Sequence, residues 1–401
     1  LRGEHFNGND FAREALSKGA LYVVVDDPGI QGGEEVIHVS DSLTALQDLA
    51  EYHRQNMNIP ILAITGSNGK TTTKELIAAI LSTRYETRST RGNLNNHIGV
   101  PLTLLDMDAS SDIGIVEMGA NHAGEIAALC RIARPDYGLI TNIGQAHLEG
   151  FGNLQGVRKA KGELYDFLVA EGGLIFCNAG DETLREMLHG VHSGVVWYGT
   201  GKDSICSGEV LSSTPFLALR LNLEGFGDFE VKTLLVGNYN LENILAATAV
   251  ALHFRISPDE VVETLAKWSP VANRSQRLET ASNILIADAY NANPTSMRAA
   301  MESFCQEDHP RKVLILGDML ELGQAGEKAH QDILDYVAEM DFEQVFLVGP
   351  VFSRLSLPVK SRGFGTAGEL QAFFEKNPLR DRLILIKGSR GMGLETVLKT
   401  L

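Results

Sequence analysis

Residues 61–72 read Ile-Leu-Ala-Ile-Thr-Gly-Ser-Asn-Gly-Lys-Thr-Thr, an apolar strand-length run that turns through two glycines into helix-forming sequence from about Lys70 to Ser82. Glycines let the backbone fold back so that several N–H groups converge on one point, and the helix start adds positive potential. Lys70 supplies a full charge and Thr71 a hydroxyl able to ligate Mg²⁺. Gly66, Ser67, Asn68, Gly69, Lys70, Thr71 and Thr72 therefore form a candidate cradle for the β- and γ-phosphates of a nucleotide. The full phosphate-loop pattern wants glycine at position 64, where this chain has Ile64. An ordinary glycine-rich strand-to-helix turn is the competing reading.

Around this segment, strand-like and helix-like stretches alternate. Ile113–Val116, Tyr137–Ile143 and Leu174–Phe176 read as strands; Gly124–Ile132 and Leu154–Leu168 read as helices. This order predicts an α/β fold with a parallel sheet covered by helices on both faces. Before it, residues 1–58 form a small unit with a strand at Leu21–Val25, a helix at Ser42–Tyr52 and a linker near 56–60. From Val195 to Val236 the pattern is strand-rich, consistent with an antiparallel addition. Asn240–Phe254 is an apolar helix, and Ser257-Pro258-Asp259-Glu260 opens another with a capping box. A second boundary is expected near Trp268-Ser269-Pro270. Four strand candidates follow (Ile284–Ala287, Val313–Leu316, Val345–Val348 and Leu383–Ile386), with Thr366 and Glu369 as another capping box, so a second doubly wound unit is predicted.

The 401 residues are 44% hydrophobic and 21% charged, which suits two or three globular domains and excludes a mainly disordered chain. Lysine plus arginine number 35 against 51 acids, so the net charge of −16 repels nucleic acid on average. No apolar stretch approaches the ~20 residues of a membrane-spanning helix, so the chain is not expected to be embedded in a membrane. Cys130, Cys177, Cys206 and Cys305 lie far apart without zinc spacing, and free thiols in a reducing compartment are expected. The chain begins at Leu1 without a basic-then-apolar leader.

In an open parallel sheet the loops at the carboxyl ends of the strands share one edge. Glu117 follows Ile113–Val116 and His147 follows the strand at 137–143, which puts both on the edge of the glycine-rich turn. Glu117 is a candidate Mg²⁺ ligand; His147 is a candidate to ligate or orient a metal-bound water. The polar loop Gly92–Gly99 offers Asn93, Asn95 and Asn96 to a polar substrate, against the alternative of plain turn chemistry. In the last unit, Asp288-Ala289-Tyr290-Asn291-Ala292-Asn293 ends the first strand and Lys387-Gly388-Ser389-Arg390 ends the last.

Together these segments resemble the ATP-dependent Mur ligases of bacterial cell-wall synthesis over nearly the whole chain. The carriers are Thr65–Thr72, Gly92–Thr103, Glu117–His122, Ala146–Phe151, Ala160–Glu163, Asn240–Asn243, Asp288–Ser296 and Gly317–Gly323. The resemblance implies three domains: residues 1–58 for the UDP moiety, 59–269 for ATP, and a Rossmann-like 270–401 closing over the reaction. It implies ATP and two Mg²⁺ ions, with Lys70 and the loop amides on the phosphates and Thr71, Glu117 and His147 around the metal. Lys161 falls where the family places a lysine that can be carbamylated to bridge a second metal; an unmodified Lys161 on phosphate is the alternative. Asn240 and Asn243 match the adenine-side helix, Arg274 the arginine opening the last domain, and Asp288 a ribose- or substrate-side acid. Asn93, Asn95, Asn96, Tyr290, Asn291, Asn293, Lys387 and Ser389 would contact substrate. The implied substrates are small molecules, UDP-N-acetylmuramoyl-tripeptide and D-alanyl-D-alanine, handled by a cytoplasmic monomer.

Two departures from the family accompany these matches. Tyr239 stands where many relatives have histidine, which removes one expected nucleotide contact. The family's opening strands, with a Ser/Thr-x-x-Arg uridine contact, are not in the chain, so weak or absent binding of a UDP-linked substrate is expected. Other readings are the tripeptide-forming Mur ligase, a folylpolyglutamate synthase, a nucleotide switch without ligase chemistry, and a non-catalytic fragment. The first usually carries Asn-Pro-Arg in its last domain, whereas Asn293-Pro294 here precedes Thr295.

Overall fold

The first strand of the glycine-rich segment, Ile61–Thr65, sits in the middle of a six-stranded sheet and is buried at every position. Across the sheet the order is Val195–Tyr198, Leu174–Asn178, Tyr137–Ile140, Ile61–Thr65, Ile113–Glu117, Thr87–Ser89, and all five pairings are parallel. Strands buried on both faces need continuous apolar runs, which is what 61–64 and 113–116 supply. The computed structural model describes residues 1–3, 5–270, 273–356 and 359–401.

Helices cover both faces. Lys70–Leu81 and Asn240–His253 pack on one, burying Leu76, Ile77, Ile80, Ile244 and Val250 against Leu62, Ile64 and Ile115. Glu125–Ala133 and Leu154–Glu171 cover the other with Ile126, Leu129, Leu164 and Leu168. The strand-rich stretch divides in two. Val195–Tyr198 extends the parallel sheet, while Cys206–Ser212, Ala218–Leu223 and Gly227–Lys232 form a three-stranded antiparallel sheet. The inward residues Leu219, Leu221 and Leu223 join the core on the side of the Asn240–His253 helix.

A second six-stranded sheet runs Gln276–Glu279, Ile284–Asp288, Leu383–Lys387, Lys312–Gly317, Gln344–Val348, Ser361–Phe364. Its first strand is antiparallel and the rest are parallel. The Ser257–Glu260 capping box forms in both halves, with Pro258 opening the helix Pro258–Lys267. At Thr366 only half forms. The threonine hydroxyl accepts from Glu369 N–H, but the Glu369 carboxylate turns to Gly365 N–H at 2.8 Å. All four cysteines are free thiols, three buried and Cys305 half-buried.

At the amino end, Arg2–Gly3 pairs with Phe6–Asn7 and Val23–Val25 pairs with Val36–His38 around a small core of Ala12, Val23 and Val25. The helix Ser42–Asn56 is then fastened to the central sheet by Arg54. Its buried guanidinium donates to the carbonyls of Met57, Ile59, Ala133 and Arg134 and to the Asp136 carboxylate. Asp136 in turn accepts from Ile61 N–H at 2.8 Å, at the start of the central strand. Replacing Arg54 by Met strands these acceptors, and we expect unfolding free energy to fall by about 3 kcal/mol. Chemical denaturation monitored by circular dichroism checks this; a loss below about 1 kcal/mol would show the clamp to be incidental.

Candidate active site

Where the central strand ends, Gly66 (φ +140) and Gly69 (φ +81) take conformations that side chains rarely adopt. There is also no room for one: a Cβ on Gly66 would overlap Thr141 Oγ1, and one on Gly69 would overlap Asn243 Oδ1. The loop is braced from outside. Ser67 N–H donates to Asn142 O (3.0 Å), Asn68 N–H to Asn142 Oδ1 (3.0 Å), and Thr141 Oγ1 donates to Asn68 O (2.6 Å). Lys70 is half-buried and its Nζ donates back to Gly66 O at 2.6 Å and Ser67 O at 3.4 Å. Burial lowers its pKa, and the Glu117 charge opposes that shift.

The loop opens onto a cleft of about 780 Å³ between the carboxyl ends of the parallel strands of the two six-stranded sheets. Of the residues singled out in the sequence, all but Gly66 and Lys161 line it. Glu117, the last residue of its strand and 2% exposed, accepts from Thr71 Oγ1 and from Asn95 Nδ2, both at 2.8 Å. Lys74, fully buried, stands 3.9 Å from the same carboxylate, 2.9 Å from Glu75, and donates to Thr90 O. The Thr71 hydroxyl and Glu117 carboxylate form a paired set of hard oxygen donors, the kind that holds Mg²⁺ beside substrate phosphates. Among the described residues no three His, Cys, Asp or Glu groups converge as a metal cluster.

Lys161 lies behind the wall. Its Nζ is 3.4 Å from Ala120 O and 5.4 Å from the Phe151 ring centroid. Burial, reinforced by the Lys70 charge, brings its pKa down to about 7. His147 sits one turn beyond the sheet, since its strand ends at Ile140, and starts the short helix Leu148–Phe151. Its Nδ1 is 2.6 Å from Glu321 Oε2, and this contact holds the Glu321 carboxyl below its ordinary pKa.

Several asparagines serve the local architecture. Asn96 Oδ1 accepts from Ile98 N–H (3.1 Å) and Gly99 N–H (2.9 Å) in the turn that leads into the helix Gly99–Leu105, the turn chemistry its composition favours. Asn243 donates to Asn240 Oδ1 (2.8 Å) and accepts from Thr73 Oγ1 (3.1 Å), so the pair braces the glycine turn from the side. Asn293 caps its helix and also reaches across the cleft to Asn68 Oδ1 at 2.7 Å. Asp288 pairs with Lys387 at 2.6 Å, and Ser389 accepts from Leu320 N–H. Tyr239 fills the histidine position and contacts Ser275 Oγ through its hydroxyl at 2.6 Å. The Arg274 guanidinium lies 3.6 Å over the Tyr290 ring.

Sequence reasoning assigned no role to Lys74, Asn142, Glu321 or Arg390, all of which belong to this site or its support. Glu321 lies inside the Gly317–Gly323 motif, but nothing local in the sequence marks it as the partner of His147. Lys74 carried one usable signal, a charged residue on the inward stripe of the helix Lys70–Leu81.

Comparison with known proteins agrees with this geometry. Residues 64–251 match the model of the Mur ligase middle domain, and residues 273–390 match the Mur ligase, glutamate ligase domain. The chain is 35% identical to the UDP-N-acetylmuramoyl-tripeptide–D-alanyl-D-alanine ligase of Bacillus subtilis and equally so to that of Escherichia coli. Each alignment covers 100% of this chain and 89% of the relative. MurF of Acinetobacter baumannii superposes with a TM-score of 0.88 at 32% identity, over 100% of this chain and 88% of that one. At 16% identity, a Mycobacterium tuberculosis folylpolyglutamate synthase (TM-score 0.68, over 89% of this chain and 94% of that one) shares the fold alone. The chain belongs to the Mur ligase family of ATP-dependent amide-forming enzymes.

Proposed function

We propose that this protein joins D-alanyl-D-alanine to UDP-N-acetylmuramoyl-tripeptide, using ATP and proceeding through an acyl phosphate. The observation that carries the proposal is the shared cleft. One wall presents the braced glycine turn with Lys70, Thr71 and Glu117; the other presents the loops at Asp288–Asn293 and Lys387–Arg390. Full-length relatives in Bacillus subtilis and Escherichia coli with this named activity support the choice of substrates. A dependence on ATP and a nucleotide-activated substrate supports a cytoplasmic setting, and both walls of the cleft coming from one chain supports a monomer.

In the first step an oxygen of the tripeptide carboxylate attacks the γ-phosphorus, the bond to the β-phosphate oxygen breaks, and ADP departs. Two anions must approach each other. Lys70 and the free N–H groups at the start of its helix counter that repulsion and stabilise the transferring group. Mg²⁺, held by Thr71 and Glu117 with His147 nearby, would add charge neutralisation on the phosphate oxygens. In the second step the dipeptide amine attacks the acyl carbon, phosphate leaves, and the nitrogen gives up a proton. Holding three reactants in register across the cleft supplies much of the acceleration, up to roughly 7–11 kcal/mol. The Asn68–Asn293 contact across the cleft supports a closed arrangement during both steps.

The direct test is phosphate release with ATP, the muramoyl tripeptide and a panel of amines. Release only with D-alanyl-D-alanine is expected; release with glutamate, lysine or diaminopimelate instead would replace this reading. In the same assay Lys70→Ala is expected to lower turnover about 10³-fold, with an unchanged melting temperature. Wild-type turnover in that variant would remove Lys70 from the phosphoryl-transfer step.

Lys161 supports carbamylation on chemical grounds. Only the neutral amine attacks CO₂, releasing one proton as the N–C bond forms, and a pKa of about 7 leaves much of this lysine neutral at physiological pH. A carbamate signal in ¹³C NMR with labelled bicarbonate should therefore grow as pH rises through about 7 and vanish in Lys161→Arg. A silent spectrum would favour an unmodified Lys161 acting on phosphate.

A further inference from the structure

Two residues that are not glycine adopt left-handed backbone conformations and meet at one contact across the cleft. His147 (φ +52) comes from the central unit and Glu321 (φ +65) from the loop after the strand Lys312–Gly317 of the second sheet. Such conformations cost roughly 1–2 kcal/mol each and persist where surrounding contacts fix them, often at functional sites. Here the contacts are present. Glu149 N–H donates to Glu321 O at 3.2 Å, and Leu148 packs against the buried clusters of both units. Glu321 Oε2 lies 2.6 Å from His147 Nδ1 but off the direction a ring N–H hydrogen bond needs, and the buried Nδ1 has no hydrogen-bond partner among the described residues, so this carboxylate is the acceptor a small rotation would bring into line. The imidazole side chain is 19% exposed, whereas the carboxylate is half exposed.

We infer that Glu321 is a positioning residue for His147: it holds the proton on Nδ1 and so leaves Nε2 as the lone-pair nitrogen. A carboxylate on one ring nitrogen fixes the tautomer and orientation of the other. Because the carboxylate belongs to the second unit, His147 reaches this state only when the two units are together. The imidazole is thereby prepared for chemistry in the assembled cleft and left unfixed when the cleft is open. The consequence for turnover rests on the ligase reading above; the pairing itself does not.

Two measurements on the full chain test this. The first is ¹⁵N NMR of histidine-labelled, metal-free protein, with the His147 signal assigned by its loss in His147→Gln. The wild type should show the Nδ1–H tautomer and Glu321→Ala should shift toward Nε2–H. Glu321→Gln, whose amide oxygen still accepts, should stay near the wild type. The second is kinetics. Glu321→Ala is expected to lower kcat about 100-fold with the KM for ATP within about twofold, and Glu321→Gln to recover about tenfold of that loss. Added to His147→Gln, Glu321→Ala should cost nothing further. An unchanged tautomer in Glu321→Ala, wild-type kcat in that variant, or a full additive loss on top of His147→Gln would each overturn the inference. If the wild type releases no phosphate with the tripeptide and dipeptide, the ligase reading falls, and the tautomer measurement alone decides the pairing.

Discussion

The turn between the strand Ile61–Thr65 and the helix Lys70–Leu81 must hold its peptide groups in one orientation without any side chain to wedge it. It does so by borrowing neighbours. Thr141 and Asn142, just past the end of the adjacent strand, take up the amides of Ser67 and Asn68 and the carbonyl of Asn68, and Asn243 closes against Gly69. With those groups committed, the amides left over are the first ones of the helix, which have no intrahelical acceptor and point along its axis. A loop arranged this way need not reorganise when an anion arrives, and that is the condition under which fixed dipoles are most effective. The position of the turn follows from topology: the strand is central, and the chain continues to opposite sides of it, so the carboxyl edge there is the natural crevice.

The second sheet completes what the first cannot. Its loops bring Asp288 paired with Lys387, Arg274 stacked on Tyr290, and Glu321 to the face opposite the glycine turn. The hydrogen bonds and ion pairs across the cleft are polar contacts between loops, among them Asn293 to Asn68, Gln145 N–H to Thr295 Oγ1 at 3.3 Å, Glu149 N–H to Glu321 O and the His147–Glu321 contact, beside a small apolar contribution from Leu148, Phe216 and Val236. Polar contacts of this kind are replaceable by water at modest cost, unlike a buried apolar seam. An interface built from them suits a cleft that admits three reactants and releases three products.

How far the chain could be read in advance depended on which forces left a local trace. Strands buried on both faces advertise themselves as apolar runs, and 61–64, 113–116, 313–316 and 383–386 were legible for that reason. Edge strands pair on one side only and need no apolar face. Thr87–Ser89, Gln276–Glu279 and Ser361–Phe364 were not seen because their sequences are polar or mixed. The Thr366 cap was anticipated, but Glu369 finds Gly365 N–H nearer than the expected partner. At the site, residues within a motif were legible because spacing along one loop is spacing in space. Partners brought from elsewhere left no such mark: Glu321 lies 174 positions from His147 in sequence, and its role arises only when the two sheets meet.

Charge explains why the site is built as a recess and not on the surface. A chain with net charge −16 repels ATP and a carboxylate substrate at long range, and salt screens that field over roughly 8–10 Å. Inside the cleft cations and acids stand nearly in balance, four lysines and arginines against the five carboxylates of Glu117, Glu125, Glu242, Asp288 and Glu321. Lys70, Arg274, Lys387 and Arg390 lie on its walls, and the helix start adds its own positive end. Of these, Lys387 is already matched by Asp288, while Lys70 rests on neutral carbonyls that a phosphate oxygen outcompetes. Partial burial makes that exchange favourable, because a cation shielded from water on neutral partners gains more from an anion than one fully in water does. The depressed pKa of Lys70 is the same fact seen from the proton's side: the ammonium is costly there until a negative charge joins it.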